Sequence, residues 1–347
     1  GRMSVLLAAV ELLLGAGLLL LPQLSVRLFA VVVAVYLTLL VTVEAVNAIL
    51  YGRMRRWGAF FPAMAAAVGG TGLFVLIVFV PALRDAALRY TAALLLTVFG
   101  TGLVCDVLAL TIRSRRVRRV LGSIRVALPD LMSLFLPQRT ADVLPRAPLG
   151  PVPQQGTEEF ELLFQTSAHG IGLVGHCELC FDGRTLTYGA YDPVHQRLLR
   201  TAGAGIVFSA PREPYLRWCI GTHHRRVISY SLCLPPAQAA QLRAELESFR
   251  QTLSPWQPEA LPEDYFAGRL HRLGGVRFWR VQRGPYATYF IPTINCVSLT
   301  NKLLEKTDIG RTVMLGLKTP GAYLDLLERE YLAGNPAVTA RRVYDKI

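Results

Sequence analysis

Four long apolar runs, at about 3–22, 28–50, 57–80 and 87–112, constrain this chain more than any other feature it has. A helix needs roughly 20 apolar residues to cross a bilayer core, and each run reaches or approaches that length. Backbone groups in hydrocarbon must be satisfied within their own segment, so runs of this kind are predicted to be helices. None carries the polar cleavage region of a signal peptide, and the second begins a few residues after the first. The sequence therefore predicts a retained all-α domain of four transmembrane helices over residues 1–112. The chain is 52% hydrophobic over 347 residues, and the excess collects in these runs, which excludes a soluble enzyme along its whole length.

Charge sets the expected orientation. Arg and Lys collect in "YGRMRRW" after the second run and in "RSRRVRRVLGSIR" after the fourth, while "PQLSVR" and "PALRDAALR" are weaker. The positive-inside rule then puts both termini in the cytoplasm, where reducing conditions argue against a disulfide framework among the six cysteines. Six arginines lie between Arg113 and Arg125. Their position directly after an apolar run predicts anionic lipid headgroups as partner, not nucleic acid. Glu11, Glu44, Asn47 and Asp106 fall within the runs, and Glu44 and Asn47 share a helix face. A proton or solute pathway is one reading of them; interfacial or hydrogen-bonded groups is the one preferred.

Residues 113–156 read as a bridge, a basic juxtamembrane helix followed by the Pro-rich "LPRAPLGPVPQQG". Residues 157–347 are enough for a core of their own. Strands are predicted near 158–166, 174–182, 184–190, 204–209, 226–234, 276–282, 286–291 and 337–344, with a turn at Asp182-Gly183. Helices are predicted after Pro235-Pro236, at Cys296 and from Thr319-Pro320. That mixed order predicts an α+β domain.

Within it, "TYFIPTINCVSLTNKLL" runs a strand through a turn into a helix that Cys296 opens. A thiol there sits among unpaired backbone N–H groups and the positive end of the dipole, which favour a thiolate. A nucleophile needs a base, and the candidates are His169, His176, His195, His223, His224 and His271. His176 stands out because it opens "GHCELCFDGRTLTYGAYD", where His176, Glu178 and Cys180 share one strand face. His169 is the reserve. A zinc reading of "HCELC" fails because Cys177 and Cys180 point to opposite faces and no second pair has metal spacing. No cofactor is expected.

Two resemblances follow from these motifs. The Gly-x-Gly-Leu elements in "GAGLLLLP", "GTGLFVLIVFVP" and "GTGLVCDVLAL" resemble the repeated hairpins of the acid-resistance membrane proteins, which implies no catalytic chemistry. "GHCELCFDGRTLTYGAYD" with the later "YATYFIPTINCVSLTN" resembles the circularly permuted papain-like cysteine hydrolases. That superfamily includes desumoylating isopeptidases, bacterial permuted peptidases and the lecithin-retinol acyltransferase group. The resemblance implies a papain-like α+β fold in permuted order, with His176 as base, Tyr188-Gly189 as the turn after the hairpin and Asn295-Cys296 at the nucleophile position. Glu178, Tyr188 and Asp192 compete as the group behind the imidazole. It implies a membrane-anchored hydrolase of amide or isopeptide bonds. A lipid acyl hydrolase or acyltransferase using the same pair, and a non-enzymatic binding or regulatory domain, are the alternatives.

Overall fold

The computed structural model describes residues 22–111, 124–126, 136–144, 146–149, 159–167, 175–198, 200–258, 261, 265–307, 313–315, 319–332 and 334–345. The chain divides into two compact units, Gly1–Gly100 and Thr101–Ile347.

The first unit is helical: α1 (Pro22–Arg53) and α2 (Trp57–Phe79) lie wholly in it, and α3 (Pro81–Thr111) begins in it. α1 packs along α2. Their approach is close at Gly70, where an added Cβ would stand 2.8 Å from Val41 Cγ2, so a larger residue there would push the helices apart. Arg84 donates from Nε to the Ile77 carbonyl at 2.7 Å and from Nη2 to that of Val78 at 3.1 Å, satisfying two acceptors that the end of α2 leaves unpaired. Asn47 Nδ2 donates to Glu44 Oε2 at 3.3 Å, which gives the Glu44 carboxylate a partner on its own helix. Two helical stretches, Val26–Arg53 and Trp57–Phe79, are long and apolar enough to cross a membrane. Val31, Val35, Leu39, Phe61, Val68 and Phe79 face outward on them, an unusual surface for helices bathed in water. The first predicted run lies almost entirely outside the described residues, as does Glu11, and the fourth falls within α3 up to Thr111.

The second unit is α+β. Its described elements run β1 (Ile124–Val126), α4 (Leu136–Val143), β2 (Glu159–Thr166), β3 (His176–Phe181), β4 (Arg184–Gly189), β5 (Ala202–Ala204) and β6 (Ile206–Pro211). There follow α5 (Arg212–His223), β7 (Arg226–Cys233), α6 (Pro236–Arg250), β8 (Leu253–Pro255), α7 (Phe266–His271), β9 (Arg277–Val281), β10 (Thr288–Phe290), α8 (Cys296–Leu304), β11 (Val313–Leu315), α9 (Pro320–Leu332) and β12 (Val338–Tyr344). An eight-stranded sheet in the order β12-β7-β2-β3-β4-β6-β9-β8 is antiparallel throughout. The β3–β4 hairpin turns on Asp182 and Gly183, both at positive φ (50° and 68°), the geometry a tight two-residue hairpin needs.

Alternation along each strand sends side chains to two cores. Phe164, Cys177, Leu179 and Tyr230 pack with residues of α6, α8 and α9 on one face. Leu163, Cys180, Phe208 and Val227 pack with Tyr215, Leu216, Cys219 and Ile220 of α5 and with α7 on the other. Cys177 and Cys180 thus enter different cores.

The bridge differs from its sequence reading. Arg113 to Arg119 and most of the Pro-rich segment lie outside the described residues. Arg125, expected near the end of a basic helix, is in β1, which pairs in parallel with β11. α4 belongs to the fold of the second unit, with Ala141 and the adjoining Leu144 buried in the core. Two helices unread in the sequence also appear, α5 and α7. In α5, Pro211 is the N-cap residue and Pro214 lies in the first turn, where a missing N–H costs nothing, so "PREPYLRWCIGTH" is helical despite its prolines.

Candidate functional site

Cys296 is placed by the caps of α8. Asn295, in extended conformation, accepts the Ser298 N–H at 3.0 Å, and Ser298 Oγ accepts the Asn295 N–H at 2.9 Å, a reciprocal capping box. Leucines on the buried side of the helix anchor it, and α8 packs against β3. The result brings Cys296 Sγ to 3.4 Å from the backbone N of Cys177, the residue after His176, across 119 positions of sequence. The backbone N–H groups of Cys177, Val297 and Cys296 all favour a thiolate, yet burial outweighs them and pushes the thiol up to about 11. Tyr289 lies beside it, its phenol kept un-ionised chiefly by burial.

His176 opens β3 opposite Gln165 of β2. Its Nε2 lies 3.2 Å from Tyr191 Oη and 4.0 Å from Glu178 Oε1. Among the described residues its hydrogen bond goes to Tyr191, and none joins it to Cys296. Burial, then the charge of Arg225, hold the imidazole down at about 3. With the thiol displaced in the opposite sense, both groups are uncharged at neutral pH in the resting state.

Glu178 sits behind the imidazole, 1% exposed, at the centre of a buried polar network. Its Oε1 accepts from Tyr215 Oη at 2.6 Å and Thr187 Oγ1 at 3.0 Å, and its Oε2 from Gln165 Nε2 at 2.8 Å. Burial raises its pKa, and these three donors and Arg225 oppose the rise.

The other two residues proposed behind the imidazole are engaged elsewhere. Tyr188 Oη donates to the carbonyls of Tyr286 at 2.9 Å and Thr288 at 3.2 Å, tying β4 to the segment that leads into α8. Asp192 caps the short turn over Pro193–His195: it accepts the Val194 N–H at 3.1 Å, contacts His195 Nδ1 at 2.7 Å and pairs with Arg280. His223 closes α5, and His224 ends it in the left-handed conformation, φ 49°. His169 lies outside the described residues.

Tyr191 went unread in the sequence. Gly189 lets it approach: an added Cβ there would meet the Tyr191 ring at 2.7 Å, so the glycine makes room for a phenol whose hydroxyl reaches His176. Phe266 stacks on the ring at 5.5 Å and fixes it. "YGAYD" carries that signal. Among the described residues no group of three or more His, Cys, Asp or Glu is arranged to hold a metal ion. No protein-family model, characterised protein or solved structure matches the chain.

Proposed function

We propose that the second unit is a cysteine hydrolase of amide or isopeptide bonds, of the permuted papain-like kind, anchored at the cytoplasmic face of a membrane by the helices of the first. The observation that carries this reading is the approach of Cys296 Sγ to the start of β3, 3.4 Å from the amide that follows His176. A thiol at a capped helix start, a histidine one residue from its contact and a buried carboxylate behind that histidine are the parts such chemistry needs.

In this reading Cys296 gives its proton to His176 as its sulfur attacks the substrate carbonyl carbon, and the carbonyl π electrons move to oxygen. His176 Nε2 faces Tyr191 and Glu178, so Nδ1 takes the proton. The developing oxyanion draws on backbone N–H groups at the start of α8. Collapse expels the amine, which leaves with the proton from His176 and gives a thioester. Water then attacks the thioester, its proton passing through His176 to the departing sulfur, and yields acid and free thiol. The lipid acyl variant uses the same steps on an ester. Arg-rich segments after α1 and around 113–125 support a cytoplasmic domain on a four-helix anchor, with anionic headgroups as its lipid partner.

A second reading, a domain that binds without catalysis, is favoured by one observation: the resting thiol and imidazole are uncharged and not hydrogen-bonded to each other. Iodoacetamide labelling of the full chain in nanodiscs, read at each cysteine by peptide mass spectrometry, separates the two. The hydrolase reading expects Cys296 to label faster than Cys219 at pH 7.5, and about tenfold or more slower in His176→Ala, within the range usual for loss of a general base. Equal labelling of Cys296 in both proteins, no faster than Cys219, would leave the binding domain.

A further inference from the structure

Behind Glu178 the network runs on to a cation that the chemistry above does not use. Arg225 Nη1 donates to Gln165 Oε1 at 2.7 Å, and Gln165 Nε2 donates both to Glu178 Oε2 and to Tyr215 Oη, each at 2.8 Å. A guanidinium only donates, so the Gln165 amide has one permitted orientation, oxygen toward Arg225 and nitrogen toward Glu178. Gln165, Glu178, Thr187 and Tyr215 are each at most 1% exposed, so water cannot replace a lost partner. Arg225 is itself fixed. The left-handed His224 turns the chain out of α5, the Arg225 N–H donates to the Cys219 carbonyl at 3.2 Å, and the guanidinium lies 5.3 Å from the centre of the Phe266 ring.

We propose that Arg225 is a positioning residue for the Cys296–His176 pair: through Gln165 it holds Glu178 as an ionised acceptor facing the imidazole. The proposal rests on the hydrolase reading above. The ionisable groups around Glu178 and His176 among the described residues are Tyr215 and Cys219 of α5, Tyr191 after β4, Cys177 and Cys180 of β3, Cys296 of α8 and Arg225. Arg225 is the cation of that set. Gln165 Nε2, Thr187 Oγ1 and Tyr215 Oη all donate to the Glu178 oxygens, so a proton on the carboxyl would require a hydroxyl to turn, and the amide of Gln165 cannot turn to receive it while Arg225 holds its oxygen. An imidazolium formed during the reaction then has an anion 4.0 Å from Nε2.

Arg225 also acts directly on His176, with the opposite sign, because a cation disfavours imidazolium. The two routes predict opposite outcomes, which makes the proposal testable in full-length protein in nanodiscs. The quantity is the His176-dependent part of Cys296 alkylation by iodoacetamide, wild type over His176→Ala, from pH 5 to 9. Arg225→Met should lower that ratio roughly tenfold at pH 7.5, the equivalent of about one pH unit in the basicity of the imidazole, because a neutral Glu178 no longer favours imidazolium. Arg225→Lys, which keeps the charge and a donor, should fall between. Gln165→Glu retains the acceptor for Arg225 and the shape of the side chain but removes the donor to Glu178, and should lower the ratio the same way even if Arg225→Met does not fold. An unchanged ratio at pH 7.5 in Gln165→Glu, or a higher one in Arg225→Met, overturns the proposal and leaves the pair intact. Loss of any difference between wild type and His176→Ala removes the pair instead.

Discussion

At the scale of single residues, His176 is governed by where its ring is buried. Burial and Arg225 both act against its charged form and take it from the ordinary 6.5 to about 3. The sign of the consequence is fixed. Between those values the unfolded chain binds a proton that the folded domain refuses, so stability falls as pH drops through that window, by about 1.4 kcal/mol per pH unit at most for one group. The direct check is a titration of the ring: in protein labelled with ¹⁵N-histidine, the His176 nitrogens should keep a neutral-imidazole pattern at pH 5, and a protonated ring there would contradict the buried placement. His176, Glu178 and Cys296 were legible because each stands at a recognisable position, a strand start, the same strand face and a helix start. Tyr191, Gln165 and Arg225 were not, because their roles depend on register between strands and on a turn after α5, and spacing within one segment records neither.

At the scale of elements, α8 shows what local sequence can specify. Asn295 and Ser298 cap each other, so the helix starts where the chain emerges from β10 and its turn. Asn295→Ala removes the acceptor for the Ser298 N–H, and Asn295 Nδ2 also donates to the Ile291 carbonyl at 2.7 Å. A loss of about 1 kcal/mol is expected from the cap. It should appear as a lower urea midpoint of the tryptophan signal, with slower Cys296 labelling as the first turn frays; an unchanged midpoint would mean that packing alone sets the start of α8. The strands were legible from alternation and from Asp182-Gly183, whereas α5 was hidden by Pro214, Gly221 and two histidines. Burial of Tyr215, Leu216, Cys219 and Ile220 against the sheet supplies the helix with what its propensity lacks.

For the molecule as a whole, the two units carry different sequence patterns, two long apolar helices in the first and alternating strands in the second. Length and hydropathy identified the apolar helices, and period-two alternation identified the sheet, while the assignment of α4 to the second unit depends on tertiary burial that a Pro-rich segment conceals. Inside the sheet, Arg212 pairs with Glu161, Ser229 Oγ donates to Glu161 Oε1 at 2.8 Å, and Arg212 Nη2 lies 3.4 Å from Tyr344 Oη, so one buried pair ties α5, β2, β7 and β12 together. Glu161→Gln would strand the guanidinium. A cost of about 3 kcal/mol follows from breaking a buried pair on one side. The thermal midpoint of the tryptophan signal should then fall by roughly 10 °C; a fall below about 2 °C would show that water reaches the pair.

The order of the sheet also bears on synthesis. β12 covers the outer edge of β7, and Ala147 in turn donates its N–H to the Val343 carbonyl on the far side of β12. Until residues 338–344 have left the ribosome, β7 is a bare edge rich in β-branched and aromatic side chains, open to pairing with another nascent chain. The thiol and imidazole can meet before that moment, since both precede β12 in the chain. Their strand stack is therefore sealed last, and its safest place of manufacture is one where neighbouring copies are kept apart.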